Sequence, residues 1–275
     1  YYTTNDLYYD TADKAWKTRD GVVNSSSLTG GNLTLGGMKI VDQLTVDTDG
    51  DGIPDQGDGV INEKDKVRLG NTIHPVNGGF GLNGNWKNFD FNIFCNYSIG
   101  GKVINHTKLR SSFYSGSSNN WNLNGDFTLA NRYSNIDPTT GERMTDRTYI
   151  DNYLATGKTL EDLYGYMNEV NAGKSLYNPA AVTTAPLTQL AVENGSFLRI
   201  NTVSLGYTLP QALTSKWLIK NIRLYVTGYN LFVFTKYSGA DPEVDSATST
   251  PLTPGVDYAS YPKSRSFVGG VNLTF

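Results

Sequence analysis

The sequence is short of the residues that most often carry chemistry. Its 275 residues include one cysteine, two histidines and three methionines. A single cysteine excludes an internal disulfide framework and any cysteine-based zinc site. Charged residues make up 18%, with 23 Lys and Arg against 26 Asp and Glu, below the roughly 25% of an average soluble domain. That near balance, without a basic run, argues against electrostatic capture of nucleic acid. No stretch approaches the roughly 18 consecutive apolar residues of a membrane-spanning helix. The start, Tyr1-Tyr2-Thr3-Thr4-Asn5, has neither a basic nor an apolar leader region, so no signal peptide is expected there. A processed secreted protein and a piece of a longer chain both fit such a start. What the sequence does have is 18 tyrosines and 29 glycines, a composition that fits β-structure with long polar loops.

Period-two alternation is the main structural signal. In residues 89–99, Phe89, Phe91, Ile93, Cys95, Tyr97 and Ile99 share one face, against Asp90, Asn92, Asn96 and Ser98, interrupted only by Phe94. Residues 79–86 set Phe80, Leu82, Gly84 and Trp86 against Gly79, Gly81, Asn83 and Asn85. Residues 219–234 set Ile222, Leu224 and Val226 against Arg223, Tyr225, Thr227 and Tyr229, and residues 265–275 put Phe267, Gly269, Val271, Leu273 and Phe275 together. Residues 196–208 are mixed, with Arg199, Asn201 and Ser204 among Leu198, Ile200, Val203, Leu205 and Tyr207. Five long strands are expected, most of them reaching the ~9–11 tilted residues that cross a bilayer. Within the connectors, Thr159 and Asp162 frame a capping-box start for a helix over 159–167, and residues 210–213 read as one helical turn.

The connectors alternate in length. A tight turn at Lys87-Asn88 is followed by the long segment 100–195, the short 209–218 and the long 235–264. A transmembrane β-barrel has short turns on one side and long external loops on the other, whereas structureless loops beyond ~12–15 residues are uncommon in compact domains. The barrel is therefore the leading expectation, with Phe89, Phe91, Ile93, Val271, Leu273 and Phe275 toward lipid, and a secreted, calcium-stabilised, carbohydrate-binding β-sandwich is the alternative. Tyr114, Trp121, Tyr133, Tyr149 and Tyr153 lie in the longest connector, where they serve either sugar stacking or packing; no substrate-binding set is assigned.

One local motif carries chemistry. Asp47, Asp49 and Asp51 occupy positions 1, 3 and 5 of an EF-hand-type loop, with Gly52 at 6, the Ile53 carbonyl at 7, Asp55 at 9 and Asp58 at 12, where Glu is usual. A second, incomplete Asp-Gly element follows, so the acidic stretch runs over 47–65. The expected occupant is a structural calcium ion; the competing reading is a solvated acidic turn whose glycines supply positive φ. For catalysis little is present. His74 and His106 are the only imidazoles, and no nucleophile elbow, metalloprotease helix or phosphate-binding loop occurs. No enzyme is expected.

Several ordered blocks together resemble a known family. They are the run 47–70 with its D-x-D-G-x-x-D core; Gly78-Gly79-Phe80-Gly81-Leu82-Asn83 leading into Trp86-Lys87-Asn88-Phe89-Asp90-Phe91-Asn92; and Gly100-Gly101-Lys102-Val103-Ile104-Asn105. Later come Ser196-Phe197-Leu198-Arg199-Ile200-Asn201, Leu205-Gly206-Tyr207-Thr208-Leu209-Pro210, Val226-Thr227-Gly228-Tyr229-Asn230-Leu231-Phe232, Asp241-Pro242-Glu243 and Tyr261-Pro262 with Arg265-Ser266-Phe267. The chain thus resembles the C-terminal part of the SusC/RagA family of TonB-dependent outer-membrane transporters of Bacteroidetes. The resemblance implies an all-β fold: the C-terminal section of a large antiparallel transmembrane barrel of the 22-strand, plugged type. It divides the chain into an extracellular loop region, 1–76, and barrel strands with long external loops, 77–275. It further implies a SusD-like surface lipoprotein over the mouth, TonB contacted through an N-terminal part absent here, outer-membrane lipid around the strands, and import of oligosaccharides or oligopeptides.

Overall fold

The computed structural model describes residues 1–114, 122–215, 219–243 and 254–275. These fall into two compact units. A sheet unit combines Leu69–Thr107 with Gln189–Phe275, and a loop unit combines Tyr1–Arg68 with Lys108–Thr188.

In the loop unit, β1 (Leu7–Asp10) and β2 (Ala15–Thr18) form an antiparallel hairpin. Helix α1 is the single turn Ser26–Thr29, and α2 (His106–Arg110) carries the chain in from the sheet unit. Helices α3 (Arg147–Ala155) and α4 (Leu160–Val170) follow. Tyr2, Leu7, Tyr9, Leu35, Tyr133, Met144, Ile150, Leu163 and Met167 make one buried core. Leu163 and Met167 are one helical turn apart, which places both on the buried face of α4. Its start is the expected capping box: Thr159 Oγ1 accepts the Asp162 amide at 3.2 Å, and Asp162 Oδ2 accepts the Thr159 amide at 2.8 Å. Helix α3 was not expected. It opens without a side-chain cap, and only Ile150 of its residues is buried, so its hydrophobic stripe is thin.

The sheet unit is built on β3 (Val76–Trp86), β4 (Phe89–Ile99), β7 (Phe197–Thr208), β8 (Asn221–Thr235) and β10 (Ser266–Thr274). They pair in the order β10-β8-β7-β4-β3, every pair antiparallel. The five expected strands are all present, within a few residues of their predicted ends. The β3–β4 turn is the two residues Lys87 and Asn88, with Lys87 left-handed at φ 54°. Short β5 (Lys102–Asn105), β6 (Val192–Asn194) and β9 (Val256–Asp257) form a second sheet, and α5 (Gln211–Thr214) follows Pro210 as the single helical turn expected there.

The mixed pattern of β7 has a physical cause. Phe94 faces Thr202 while Cys95 faces Ile200, so Asn201 is an extra residue opposite β4. This β-bulge shifts the alternation by one. Leu198 and Ile200 before it then share a face with Val203, Leu205 and Tyr207 after it. On the other side, Thr202 faces Tyr229 and Ile200 faces Phe232, which gives β8 a bulge of its own at Asn230 and Leu231. Asn230 takes φ 53° there, a left-handed conformation that asparagine tolerates better than most residues. Cross-strand glycines are covered by rings on the partner strand. A Cβ on Gly84 would lie 2.8 Å from the Phe91 ring, and one on Gly78 2.9 Å from the Tyr97 hydroxyl. Gly84–Phe91 and Gly78–Tyr97 are directly opposed pairs, so each aromatic lies over the space its glycine leaves open.

Across all five strands the register places a mostly apolar face opposite a mostly polar one, which also carries the exposed side chains of Phe94, Tyr229 and Val268. Phe80, Leu82, Trp86, Phe89, Leu205, Leu224, Val226, Phe232, Phe267, Val271 and Leu273 all lie on the apolar side, and all are exposed. Phe91 and Ile93 of the same side are half-buried and Cys95 is buried. No described helix is long and apolar enough to cross a membrane.

Candidate functional site

The acidic loop is held closed by an antiparallel bridge between Val46 and Gln56. Inside it, Asp47 Oδ1 and Oδ2 accept the amides of Gly50 and Gly52, both at 2.7 Å. These amides, Gly52 first, hold the Asp47 carboxyl below its usual range. Gly50 and Gly52 have φ of 80° and 88°, which lets the chain turn tightly enough to aim both N–H groups inward. Asp49 and Asp51 accept the amides two residues on, at 3.2 and 2.8 Å.

Three of the six expected ligands come together: Asp47, Asp49 and Asp51 each offer a carboxylate oxygen within 4.8 Å of the others, and all three are exposed. Oxygens of one calcium ion, each roughly 2.4 Å from it, are separated by no more than that. Hard carboxylate oxygens at this spacing fit such an ion. The rest of the set is engaged elsewhere. Asp55 accepts the Thr48 amide at 3.0 Å and its hydroxyl at 2.6 Å, and Thr48 keeps its carboxyl ionised to lower pH. Asp58 accepts the Val60 amide and lies 3.6 Å from Lys64 Nζ. The Ile53 side chain is exposed, and its amide donates to Asp51.

Two further carboxylates border the second Asp-Gly element. Asp42 accepts the Gly59 amide at 2.9 Å, and its other oxygen is buried without a partner. Asp65 accepts the amides of Gln43 and Asn62 and closes a capping box on Asn62. The Asn62-to-Asp65 spacing is the cue that identifies Asp65 in the sequence. Asp42 has no such cue, because its partner lies 17 residues away.

The polar face of the large sheet carries two charge clusters. Asp90 and Arg223 pair through Nε at 2.9 Å and Nη2 at 2.5 Å. Arg199 is buried to 3% exposure and meets Asp241 through Nη2 at 2.6 Å and Asn230 through Nη1. Its Nε stands 2.6 Å from Glu243 as an ion pair, without hydrogen-bond alignment. Glu243 also takes Lys263 at 2.8 Å and Asn96 at 3.2 Å. Arginine, asparagine and carboxylates are thus gathered and charge-paired on the face opposite the exposed apolar side chains, with Arg199 Nε and Asn96 Oδ1 buried without a hydrogen-bond partner.

The aromatic residues of the long connector divide by burial. Tyr133 is core, at 3% exposure, while Tyr114 is exposed. Tyr149 and Tyr153 stack on each other at 6.2 Å, and Tyr149 donates to buried Asp137. Packing therefore occupies three of the five; Trp121 lies outside the described residues. His74 lies 3.2 Å from the Gly195 carbonyl, and His106 packs on Tyr258 at 4.2 Å.

A strand sheet with an exposed apolar face, a charged opposite face and long connectors is the arrangement against which known proteins can be set. No family model matches the chain. TonB-dependent receptor P3 of Formosa agariphila is 29% identical over 80% of this chain and 18% of its own length. TonB-dependent receptor SusC of Bacteroides thetaiotaomicron is 37% identical over 30% of this chain and 8% of its own. The chain resembles the TonB-dependent receptors of the SusC/RagA type. The structure of the RagAB peptide importer in the closed-closed state matches all of this chain and 25% of that one, with TM-score 0.50 and 20% identity, a likeness of fold. The receptor-like chain spans less than a fifth of the length of receptor P3.

Proposed function

We propose that this chain is the C-terminal barrel section of a TonB-dependent outer-membrane transporter that imports oligosaccharides or oligopeptides. The observation that carries this reading is the inverted sheet: large apolar side chains exposed on one face and the ion-paired residues Arg199, Asp241 and Glu243 on the other. Such a sheet is costly in water and is suited to lipid outside and an aqueous lumen inside. An 11-residue strand such as β4 rises ~36 Å and, tilted by ~40°, spans roughly the ~25 Å apolar band of an outer-membrane barrel. Strands β3 and β10 each have one partner among the described strands; further strands would pair with both edges in a closed barrel of the 22-strand type. A β-sandwich would bury this apolar face instead. In the whole protein, a SusD-like lipoprotein would cover the external mouth and TonB would supply the drive, roles that fit the receptors this chain resembles. None of these roles calls for catalysis.

The test is extraction and uptake. The full-length protein is expected in the outer-membrane fraction, released only by detergent and heat-modifiable on gels; release without detergent overturns the reading. For the metal, Asp47, Asp49 and Asp51 would hold one calcium ion, with waters completing its coordination, and the ion would fix the loop at 47–65. Calcium titration calorimetry is expected to show a binding heat that Asp49→Ala/Asp51→Ala abolishes. Equal heats from both proteins remove the site.

A further inference from the structure

The loop unit contains a cavity of about 1130 Å³. Sites for drug-sized ligands hold roughly 300–1,000 Å³, so this one has room for an oligomer. Its lining is electrostatically one-sided: Arg132, Arg143 and Lys174 face it against one carboxylate, Asp146. Among the described residues none of these three cations has an ion-pair partner. Arg132 and Lys174 are near enough to repel: burial first and then the Arg132 charge lower the Lys174 pKa. Arg132 and Lys174 are half-buried while Arg143 is exposed, and half-buried cations near each other without a counter-charge are unfavourable in the empty protein and favourable around an anion.

The wall supplies the rest of a recognition surface. Tyr133 Oη and Asn135 Oδ1 belong to residues 3% and 5% exposed, both line the cavity, and both atoms lack a partner. One is a donor and the other an acceptor, and buried groups of this kind are costly to leave unmade. Leu129 and Ile136, 72% and 43% exposed, add apolar wall.

We infer that this cavity binds an acidic oligopeptide. Arg132 and Lys174 take a carboxylate, and Arg143 a second one or the C-terminus. Tyr133 donates to a peptide carbonyl, Asn135 accepts a peptide N–H, and Leu129 and Ile136 meet apolar side chains. An oligouronate carries the same carboxylates but has no apolar side chains for Leu129 and Ile136. The inference rests on the reading of the chain as part of an importer of oligomers, and it names the class.

The test is direct binding to the full-length protein in detergent, followed by fluorescence anisotropy of a labelled hexapeptide of alternating leucine and glutamate. The peptide is expected to bind, with affinity falling as salt rises. Its glutamine, C-terminally amidated counterpart is expected to bind at least tenfold more weakly, a comparison that leaves the protein unchanged. Arg132→Gln/Lys174→Met is expected to lose at least tenfold while keeping or raising the melting temperature, because it removes a like-charge repulsion. Equal binding of both peptides, undiminished binding by the double variant, or tighter binding of an oligogalacturonate overturns the assignment. Failure of uptake by cells, with charge-dependent peptide binding intact, counts against the import reading and for the cavity.

Discussion

At the scale of single residues, two positions show how much depends on one atom. Gly206 lies between Asp90 and Tyr225 in register, and a Cβ there would run into the Asp90 carboxylate and the Arg223 guanidinium. The bidentate pair across three strands is possible because that carbon is missing. Gly206→Ala is expected to push the two side chains apart and cost about 1–3 kcal/mol, read as a lower denaturant midpoint in detergent. Asp137 makes a different point. Burial alone would raise its carboxyl pKa, but hydroxyl bonds from Tyr149 and Tyr166 and the Thr139 amide outweigh burial and bring it to about 2. A carboxyl lowered from an ordinary 3.8 stabilises the fold fully above about pH 4, and that stability is lost as pH falls from 4 toward 2. Thermal unfolding followed over that window should show a steep loss for the native protein and a flatter one for Asp137→Asn, which has no carboxyl to titrate. Parallel curves would mean that the tyrosines do not favour the charged form.

At the scale of elements, the long strands and α4 were legible because each satisfies a short-range rule. Thr159 and Asp162 are three residues apart, and Thr159→Ala is expected to cost about 1 kcal/mol, seen as a matching fall in melting temperature. A drop below a few tenths would mean that packing of Leu163 and Met167 alone sets the helix. Strand β7 was legible as a strand but not as a two-faced one, since one extra residue at Asn201 reverses its parity and period-two counting has no term for a bulge. The short sheet of β5, β6 and β9 was missed because it joins residues 102–105, 192–194 and 256–257, pieces too short to show periodicity and too far apart to announce their pairing. The acidic site was half legible. Spacing picks out Asp47, Asp49 and Asp51, whose carboxylates the fold brings together, but it does not reveal that Asp55 spends both oxygens on Thr48. Position in a motif says which side chains are near, not which are already engaged.

At the scale of the whole molecule, the sequence separates its polarity by face. Mean hydropathy is −0.38, because each strand gives half its residues to a polar side and the loop unit has its own aqueous-type core. That separation makes the membrane reading testable at a single level of the sheet. Val226 lies at mid-strand on the apolar face, opposite Leu205, and is 49% exposed. Asn92 lies on the polar face one residue along from Phe91, the β4 residue that faces Leu205. In water, Val226→Arg would put a charge on a solvated surface at little cost, within roughly 0.5 kcal/mol. Facing the middle of a bilayer, the same change costs about 2–4 kcal/mol, while Asn92→Arg, turned to the lumen, is tolerated. Refolding the full-length protein into lipid vesicles and following the heat-modifiable band is expected to show a loss of folded protein for Val226→Arg and near-native folding for Asn92→Arg. If both variants fold alike in lipid, the exposed apolar face is not a lipid face, and the barrel assignment fails with it.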